Sequence, residues 1–291
     1  MRVFVLIPVF NRLAHTKKVL GALKAQSIAP QLRLVVVDDG STDGTAEYLA
    51  SEPDVVTLTG DGNLWWGGAI QKGLAYMRTQ LPTDDDFVLF VNNDTWFDVD
   101  YVQTLIETSR LHGGVAVGSV IHEEHRDDPL VSIGPRININ RIAVWDLLAE
   151  LPAQERLVPK PIYWVDALSG RGTLYPVAFF KAYGGMRPWL LPHYLADYEI
   201  AMRFARDSGT PLLVSSKAIV FSPPVYGNEV AQLGRWERYF SQRSSSNVIR
   251  RLVFYCMVGS PLQRLTAPLR LAYFGISRYF HYKLKSVTST K

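Results

Sequence analysis

Two short runs of acidic and amide residues follow apolar, strand-like segments in the first third of the chain. Asp38 and Asp39 form the first run, and Asn92, Asn93 and Asp94 form the second. A carboxylate at a strand end can accept a hydrogen bond from the N3–H of uracil or thymine. A carboxylate beside amide oxygens can bind Mg²⁺ or Mn²⁺ on a diphosphate. Each run by itself is equally compatible with an ordinary turn, because Asp, Asn and Gly are common turn residues.

The two carboxylates of the first run are expected to differ in role. Gly40 and Ser41 follow them directly, so the chain turns sharply after the strand. We expect Asp38 to point inward and hold this turn. We expect Asp39 to point outward, toward the base of a bound nucleotide.

A third acidic pair, Asp197 and Glu199, lies at the start of a strongly amphipathic segment that predicts a helix over 197–207. Transfer of a group to a hydroxyl needs a base that takes the hydroxyl proton. A helix dipole favours an ionised carboxylate in the first turn. Acidic residues are also common in first turns without any catalytic role, and both residues remain candidates for the base.

Two other segments combine glycines with side chains that can bind a ligand. Segment 60–69 places Asn63 and Trp66 among four glycines, and a tryptophan face can stack on a sugar or a base. Arg171 lies between two glycines and could bind a phosphate or an acceptor oxygen in a bidentate manner. Core packing of the tryptophan and a solvent-exposed arginine are the alternatives.

The elements that must position these residues alternate between strand-like and helix-like patterns. This alternation predicts an α/β fold with a mostly parallel, Rossmann-like sheet and flanking helices. The strands are expected at 3–7, 32–37, 55–58, 87–91 and 115–120. Ligands of such sheets bind beyond the carboxyl ends of the strands, where both the Asp39 and Asp94 runs are placed.

Three motifs in this order resemble family 2 glycosyltransferases, which have the GT-A fold. They are Pro8-Val9-Phe10-Asn11-Arg12, then Val37-Asp38-Asp39-Gly40-Ser41-Thr42-Asp43-Gly44-Thr45, then Asn92-Asn93-Asp94. The resemblance covers about the first 120 residues. It implies that Asp39 contacts a pyrimidine and that Asp94 binds Mg²⁺ or Mn²⁺. The residues expected to bind the donor are Pro8, Phe10, Asn11, Arg12, Asp39, Asn63, Trp66, Asn93 and Arg171.

The chain departs from the pattern of this family at three places. Asn92 stands where an acid is more usual, Ala196 replaces the first acid of the base motif, and the stretch 219–224 at the last predicted strand contains no histidine. The resemblance still points to Asp197 as the base, ahead of Glu199. Segment 60–69 is similar to bacterial O-antigen, capsule and rhamnosyltransferase-like members, which favours a UDP- or dTDP-sugar.

The composition of the chain is typical of a folded protein. The chain has 291 residues, of which 47% are hydrophobic and 20% charged, as in a folded soluble protein. Cys256 is its single cysteine, which suits a reducing compartment, and the segment after Met1 lacks the features of a signal peptide. We therefore expect a cytoplasmic protein. Its expected domains are a GT-A domain over 1–233, with a nucleotide-binding half (1–120) and an acceptor-binding half (121–233), and a tail over 234–291.

The predicted tail is strongly basic. Segment 234–291 has eleven Lys and Arg residues against one acid, while the whole chain carries a net charge of +4. Aromatic residues interleave with these cations, a pattern typical of amphipathic helices on an anionic membrane surface. The longest charge-free stretch, 252–263, is too short to cross a bilayer. We expect peripheral attachment to the inner face of the cell membrane; a helical hairpin packed on the domain is the alternative.

The expected activity is an inverting transfer of a sugar to a lipid-linked or polysaccharide acceptor in cell-surface glycan synthesis. A catalytically inactive relative that serves as a scaffold in a polysaccharide assembly is the alternative. A nucleotidyltransferase and a Rossmann dehydrogenase are disfavoured, because no glycine-rich loop follows the first strand. No nucleic-acid-binding module accompanies the basic tail, so nucleic acid is not an expected partner. A homodimer is compatible with the sequence.

Overall fold

The computed structural model describes residues 1–124, 129–223, 234–242 and 244–288. Its first half alternates strands and helices, as the sequence predicts. The elements are β1 (Val3–Val9), α1 (Leu13–Lys24), β2 (Leu32–Asp38), α2 (Thr45–Ala50), β3 (Val55–Thr59), α3 (Trp65–Thr79), β4 (Phe87–Phe90), α4 (Tyr101–Leu111) and β5 (Val117–Glu123).

The second half is less regular and contains shorter strands. Its elements are β6 (Leu130–Ser132), β7 (Pro135–Asn138), β8 (Ala143–Asp146), α5 (Ala153–Leu157), β9 (Ile162–Val165), β10 (Thr173–Pro176), α6 (Val177–Tyr183), α7 (Ala196–Ser208) and β11 (Leu212–Ser222). Three helices follow, α8 (Arg235–Phe240), α9 (Val248–Val258) and α10 (Pro261–Thr288).

A nine-stranded sheet forms the centre of the molecule. Its order is β3-β2-β1-β4-β10-β5-β11-β9, with β6 paired to β5, and β7 and β8 form a separate hairpin. Strands β1 to β4 are parallel to one another, while β10 runs antiparallel between β4 and β5. The predicted α/β class with a mostly parallel sheet and flanking helices is confirmed.

Both faces of the sheet are covered, which explains why β1 reads as a continuous apolar run. Phe4 and Leu6 belong to the hydrophobic cluster on one face, and Val3, Val5 and Ile7 belong to the cluster on the other. Side chains of a strand alternate between faces, so a strand with helices on both sides needs apolar residues at every position.

The antiparallel strand β10 decides which loops meet. Thr173, at the start of β10, pairs with Phe90, at the end of β4. The loop 166–172 that precedes β10 therefore lies at the edge of the sheet where the parallel strands β1, β2 and β4 end. This brings Arg171 to the same edge as the Asp39 and Asp94 runs.

The helices that follow residue 234 pack against the domain. Phe254 and Tyr255 of α9 are fully buried in the same hydrophobic cluster as Phe4 and Leu6. Helix α9 packs on α7 and on α10, so α9 and α10 form a hairpin on the domain. The boundary at 233/234 remains a prediction, because 224–233 lies outside the described residues. In the part of the chain that is described, no helix is both long enough and apolar enough to span a bilayer.

Asp86 ties the start of β1 to the start of β4, at the opposite edge of the sheet. It accepts hydrogen bonds from the backbone nitrogens of Arg2 (2.6 Å) and Thr83 (2.9 Å), and from the Arg2 guanidinium at 2.8 and 3.1 Å. Burial raises the pKa of the Asp86 carboxyl, but these bonds and the Arg2 charge outweigh burial, and the pKa is lowered.

Replacement of Asp86 by Asn is expected to lower the free energy of unfolding at pH 7 by about 1–3 kcal/mol, because hydrogen bonds to a charged group are lost. A carboxyl with a lowered folded-state pKa stabilises fully above its unfolded pKa of about 3.9. That stabilisation is lost as the pH falls through the folded-state pKa. Urea unfolding should therefore show the difference between wild type and variant shrinking in acid. Asp84→Asn in the same loop, at an exposed carboxylate, is the control and should change stability little.

Candidate functional site

Asp38 and Asp39 both hold loops at the carboxyl end of β2. Asp38 accepts hydrogen bonds from the backbone nitrogen (3.1 Å) and hydroxyl (2.5 Å) of Ser41, as expected for the residue that fixes the turn. Asp39 accepts from the backbone nitrogens of three residues in the β3–α3 loop, at 2.9, 2.9 and 3.1 Å: Gly62, Leu64 and Trp65. The side chain of Asp39 is buried, so the expectation that it points outward is wrong.

The close approach of the β3–α3 loop to Asp39 requires glycine at position 60. A Cβ atom on Gly60 would lie 2.3 Å from Oδ1 of Asp39 and 2.6 Å from Leu64. The glycines of segment 60–69 thus serve at least partly to bring a backbone onto a carboxylate. Asn63 itself is exposed in this loop, and its backbone nitrogen donates to Asp61.

The loop after β1 is joined to the loop after β2 through Asn11. Its backbone nitrogen donates to the Ser41 hydroxyl (2.7 Å), and its side-chain oxygen accepts from the backbone nitrogen of Thr42 (2.9 Å). Pro8 is half-buried within β1, whereas the ring of Phe10 is 53% exposed beside this junction. Asn11 therefore shapes the edge, and Phe10 offers an accessible aromatic surface there.

The predicted metal ligand Asp94 forms an ion pair with Arg12. The guanidinium NH1 of Arg12 lies 2.9 Å from Oδ2 of Asp94, and the Asp94 side chain is 10% exposed against 50% for Arg12. Asn93 is buried, and its amide nitrogen donates to the Thr16 hydroxyl of α1 at 3.3 Å. Asn93 thus contacts a helix of the domain.

The acids of this edge do not form a multi-carboxylate cage. Across the described ranges, no three His, Cys, Asp or Glu side chains come close enough together to hold a metal ion. Mg²⁺ in nucleotide sites takes one or two protein carboxylates and completes its shell with phosphate oxygens and water. Asp94 at the strand end fits a metal of that kind.

Trp66 is a structural link between the two halves of the site. Its indole nitrogen donates to the side-chain oxygen of Asn92 at 2.9 Å, and its ring packs edge-on against Phe90. The ring also lies against Gly170, where an added Cβ would be 2.1 Å from Cζ2 of Trp66. The side chain is half-buried. Trp66 therefore connects α3, the end of β4 and the loop before β10.

Asp197 lies on the other side of Gly170. Its Oδ2 accepts a hydrogen bond from the backbone nitrogen of Gly170 (2.9 Å), and its Oδ1 accepts from that of Tyr198 (3.0 Å). Burial raises the pKa of the Asp197 carboxyl, despite these bonds and the opposing charge of Arg171. A half-buried carboxyl with a raised pKa is suited to accept a proton.

Glu199, the second candidate for the base, has a different environment. It is 3% exposed and pairs with Arg203 at 2.9 Å and Arg187 at 3.6 Å. Arg203 also donates to the backbone oxygens of Tyr183 (2.5 Å) and Gly185 (2.7 Å), so the pair anchors α7 to the end of α6. This anchoring ion pair was not predicted from the sequence, although a spacing of four residues between Glu199 and Arg203 is typical of an ion pair within a helix.

Backbone strain is concentrated around this edge. Among the described residues, six non-glycine residues have positive φ, and four of them flank the site: Asn11, Arg12, Trp65 and Leu195. This conformation is costly for bulky residues such as Trp and Leu and persists only where surrounding contacts impose it. Leu195 directly precedes α7, so its conformation positions the first turn of the helix, which contains Asp197.

Replacement of Gly170 by Ala is expected to disrupt the link between Trp66 and Asp197, because the new Cβ has no room beside the indole. Overpacking of this kind costs about 1–3 kcal/mol, which urea unfolding can measure. Gly21→Ala in α1 is the matched control, since its Cβ would meet nothing within 4 Å. That substitution should be neutral or slightly stabilising. Equal stabilities of the two variants would contradict the role given to Trp66.

Known proteins resemble the first half of the chain. Residues 4–142 match the model of Glycosyl transferase family 2. Glycosyltransferase GlyA of Streptococcus pneumoniae serotype 4 is 30% identical over 122 residues, which are 40% of this chain and 16% of that protein. An N-acetylglucosaminyltransferase of Azorhizobium caulinodans is 32% identical over 115 residues, 38% of this chain and 28% of that protein.

A third relative, the succinoglycan biosynthesis protein ExoA of Rhizobium meliloti, is 25% identical over 116 residues, 39% of this chain and 34% of that protein. The match therefore spans about a third or less of each of these relatives.

Solved structures share the architecture. GalNAc-T7, solved with UDP, GalNAc and Mn²⁺, superposes with a TM-score of 0.58 at 14% identity, over 77% of this chain and 44% of that one. The mannosyltransferase PcManGT of Pyrobaculum calidifontis, solved with GDP-Man and Mn²⁺, has a TM-score of 0.53 at 15% identity, over 100% of this chain and 81% of that one. Residues 4–142, just under half of the chain, match the model of Glycosyl transferase family 2, and the fold is GT-A.

Proposed function

We propose that the chain transfers a sugar from a UDP- or dTDP-sugar to an acceptor hydroxyl, with inversion at the anomeric carbon. One observation carries the proposal. The half-buried Asp197 carboxyl, with its raised pKa, is joined through Gly170, Trp66 and Asn92 to the strand end that bears Asp94. A proton acceptor and a diphosphate-binding carboxylate are thus held in one rigid frame.

On the donor side, Asp39 and the β3–α3 loop would bind the base. Oδ1 of Asp39 accepts one backbone hydrogen bond, and a carboxylate oxygen can accept two. The remaining acceptor position of Oδ1 suits the N3–H of a pyrimidine that approaches Asp39 from the side of the β3–α3 loop. Phe10 and the exposed Asn63 would contribute the surrounding surface.

On the diphosphate side, Asp94 would hold Mg²⁺ or Mn²⁺, which neutralises the leaving diphosphate when bound. The two solved structures named above, which resemble this chain, contain Mn²⁺ with a sugar or nucleotide-sugar ligand. Arg12 pairs with Asp94 in the structure and has a half-exposed side chain. It would turn from Asp94 to a phosphate oxygen, and Arg171 would supply a second cation.

Asp197 would act as the base. As the acceptor oxygen attacks the anomeric carbon, its proton passes to the carboxylate of Asp197 and the bond to the diphosphate oxygen breaks. Glu199 would keep α7 in place through Arg203 and take no part in proton transfer. The chain departs from the family pattern at Asn92 and Ala196, and both residues have a structural role here. Asn92 accepts a hydrogen bond from Trp66, and Ala196 is buried. These roles favour an active enzyme over a scaffold.

The acceptor would be lipid-linked or a polysaccharide, in cell-surface glycan synthesis at the cytoplasmic face of the membrane. The similarity to the succinoglycan biosynthesis protein supports a polysaccharide product. The basic segment 234–291 supports peripheral attachment to anionic lipid.

Replacement of Asp94 by Asn should weaken Mn²⁺-dependent binding of UDP or dTDP at least tenfold, because the carboxylate contact to the metal is lost. Thermal unfolding with and without Mn²⁺ and nucleotide reports this loss as a missing rise in Tm. Asp54→Asn, at an exposed carboxylate outside the site, should bind like wild type. Unchanged metal-dependent binding in the Asp94 variant would refute its role.

Replacement of Asp197 by Asn should lower kcat by about 10²–10⁴ with donor affinity unchanged, since the base is lost. Because only the ionised base accepts a proton, the wild-type rate should fall as the pH falls through the raised pKa of Asp197. Glu199→Gln should instead lower the free energy of unfolding, because it leaves Arg203 buried without its charge partner. A Glu199 variant with wild-type stability and no activity would reverse the assignment.

A further inference from the structure

Helix α10 presents an apolar stripe away from the protein. Four of its large side chains are 70, 79, 75 and 67% exposed, in the order Leu262, Leu265, Leu269 and Tyr273. Spacings of three, four and four place them on one face of the helix. Ala267, Leu271 and Phe274 pack toward the core from the opposite face. An amphipathic surface helix of a soluble protein is expected to direct polar residues outward, whereas the outward face of α10 over 262–273 carries these four large apolar or aromatic side chains.

An arginine-lined groove adjoins this stripe. It has a volume of about 510 Å³ and lies between α7, α9 and α10. Its apolar part consists of Leu190, Leu252, Val253, Cys256 and Met257, and three arginines line it: Arg187, Arg206 and Arg264. Arg264 belongs to α10 and immediately precedes Leu265 of the stripe, so the groove and the stripe are continuous along the chain.

The groove carries unbalanced positive charge. Arg264 donates to the backbone oxygens of Gly259 (2.8 Å) and Met257 (3.4 Å), which are neutral acceptors. Arg206 pairs with Asp207 at 2.7 Å. Arg187 lies 3.6 Å from Glu199, a carboxylate that Arg203 already contacts at 2.9 Å. Among the described residues, Arg187, Arg203 and Arg206 therefore share two carboxylates, while Arg264 contacts neutral acceptors. An anion would be attracted to the opening of the groove.

We propose that this docking surface, the outer stripe of α10 with the arginine groove, binds an anionic phospholipid membrane. The leucines and Tyr273 would enter the boundary between headgroups and acyl chains, and the groove arginines would bind lipid phosphates. Trp189, 72% exposed and adjacent to Leu190 in the groove, has the side chain most favoured at membrane interfaces. This inference rests on the membrane-peripheral function proposed above and names the surface that performs it.

Charge favours lipid over a second copy of the chain. Segment 261–291 has six Lys and Arg residues and no acid. Two copies that packed through the described part of α10 would bring the like charges of Arg264 and Arg270 together, whereas anionic lipid would neutralise them.

Docking through this surface would also orient the candidate site. Arg187 and Leu190 of the groove belong to the segment that leads into α7, and Pro192 of the same segment accepts a hydrogen bond from Gly67 at the start of α3 (2.7 Å). The wall of the groove is therefore tied to the helix that carries Trp66 and to the helix that carries Asp197. A membrane-bound acceptor would approach from the Asp197 side.

The experiment is sedimentation of the full chain with vesicles, without nucleotide or metal. Vesicles of phosphatidylcholine with 30% phosphatidylglycerol are compared with vesicles of phosphatidylcholine. Wild type should bind the anionic vesicles and bind the neutral ones much more weakly. Leu265→Ser combined with Leu269→Ser should reduce binding at least tenfold, because apolar burial is lost. Arg264→Ala should reduce binding to the anionic vesicles about fivefold.

Two control variants test whether any exposed leucine or any surface cation would have the same effect on vesicle binding. Leu111→Ser replaces a leucine that is 82% exposed on α4, and Lys217→Ala replaces an exposed lysine of β11. Both variants should bind vesicles as wild type does. An equal loss of vesicle binding in the controls would overturn the assignment to this surface. Failure of the wild-type protein to bind anionic vesicles would also overturn it.

Two further measurements, of the oligomeric state and of nucleotide binding, test the alternatives to membrane docking. Light scattering after size exclusion gives the oligomeric state, and a wild-type dimer that the leucine variant converts to a monomer would identify the stripe as a self-interface and overturn the proposal. Thermal stabilisation by Mn²⁺ and UDP tests the nucleotide site in the same variants and should be unchanged. Loss of vesicle binding with intact nucleotide binding therefore separates a failure of docking from a failure of the proposed transfer activity.

Discussion

The contact between the Trp66 indole and Gly170 is the constraint on which the arrangement of the candidate site depends. It admits no side chain at position 170. The indole also donates to Asn92 at the end of β4, and the backbone of Gly170 donates to Asp197 at the start of α7. A single aromatic ring thus connects the end of β4, near Asp94, to the candidate base Asp197. An indole ring suits this role, because its size fills the space beside Gly170 and its hydrogen-bonded nitrogen fixes its orientation toward Asn92.

The reversed strand β10 makes that contact possible. If β10 ran parallel to β4, the loop before it would lie at the opposite edge of the sheet, far from Trp66. Its antiparallel pairing with Phe90 places Gly170 and Arg171 beside the ends of the parallel strands. The positive φ angles of Trp65 and Leu195 show the cost of bringing α3 and α7 to the same point. A rigid, strained frame of this kind suits a site that must hold a donor and an acceptor in register.

Side chains of the same type have distinct roles because their surroundings differ. Asp197 and Glu199 are separated by one residue, yet Asp197 is half-buried with a raised carboxyl pKa, while Glu199 is buried in an ion pair with Arg203. Asp39 lies buried beneath backbone donors of the β3–α3 loop, whereas Asp94 pairs with the half-exposed Arg12. Among the described residues, the arginines of the groove at α10 are similarly left with excess positive charge, because Arg206 pairs with Asp207, Arg187 shares Glu199 with Arg203, and Arg264 contacts neutral backbone oxygens.

The sequence by itself determined the α/β class, the position of each acidic run at a strand end and the motifs that resemble glycosyltransferase family 2. These features depend on local order: buried strands read as apolar runs, and turn residues follow them directly. Only the tertiary structure decided that Asp39 is buried, that Asn92 binds Trp66, and that α9 packs into the core. Each of these contacts joins residues that lie far apart in the chain, such as Phe254 of α9 and the cluster around Phe4. Such pairings follow from strand order and loop conformation, which residue type and spacing do not specify.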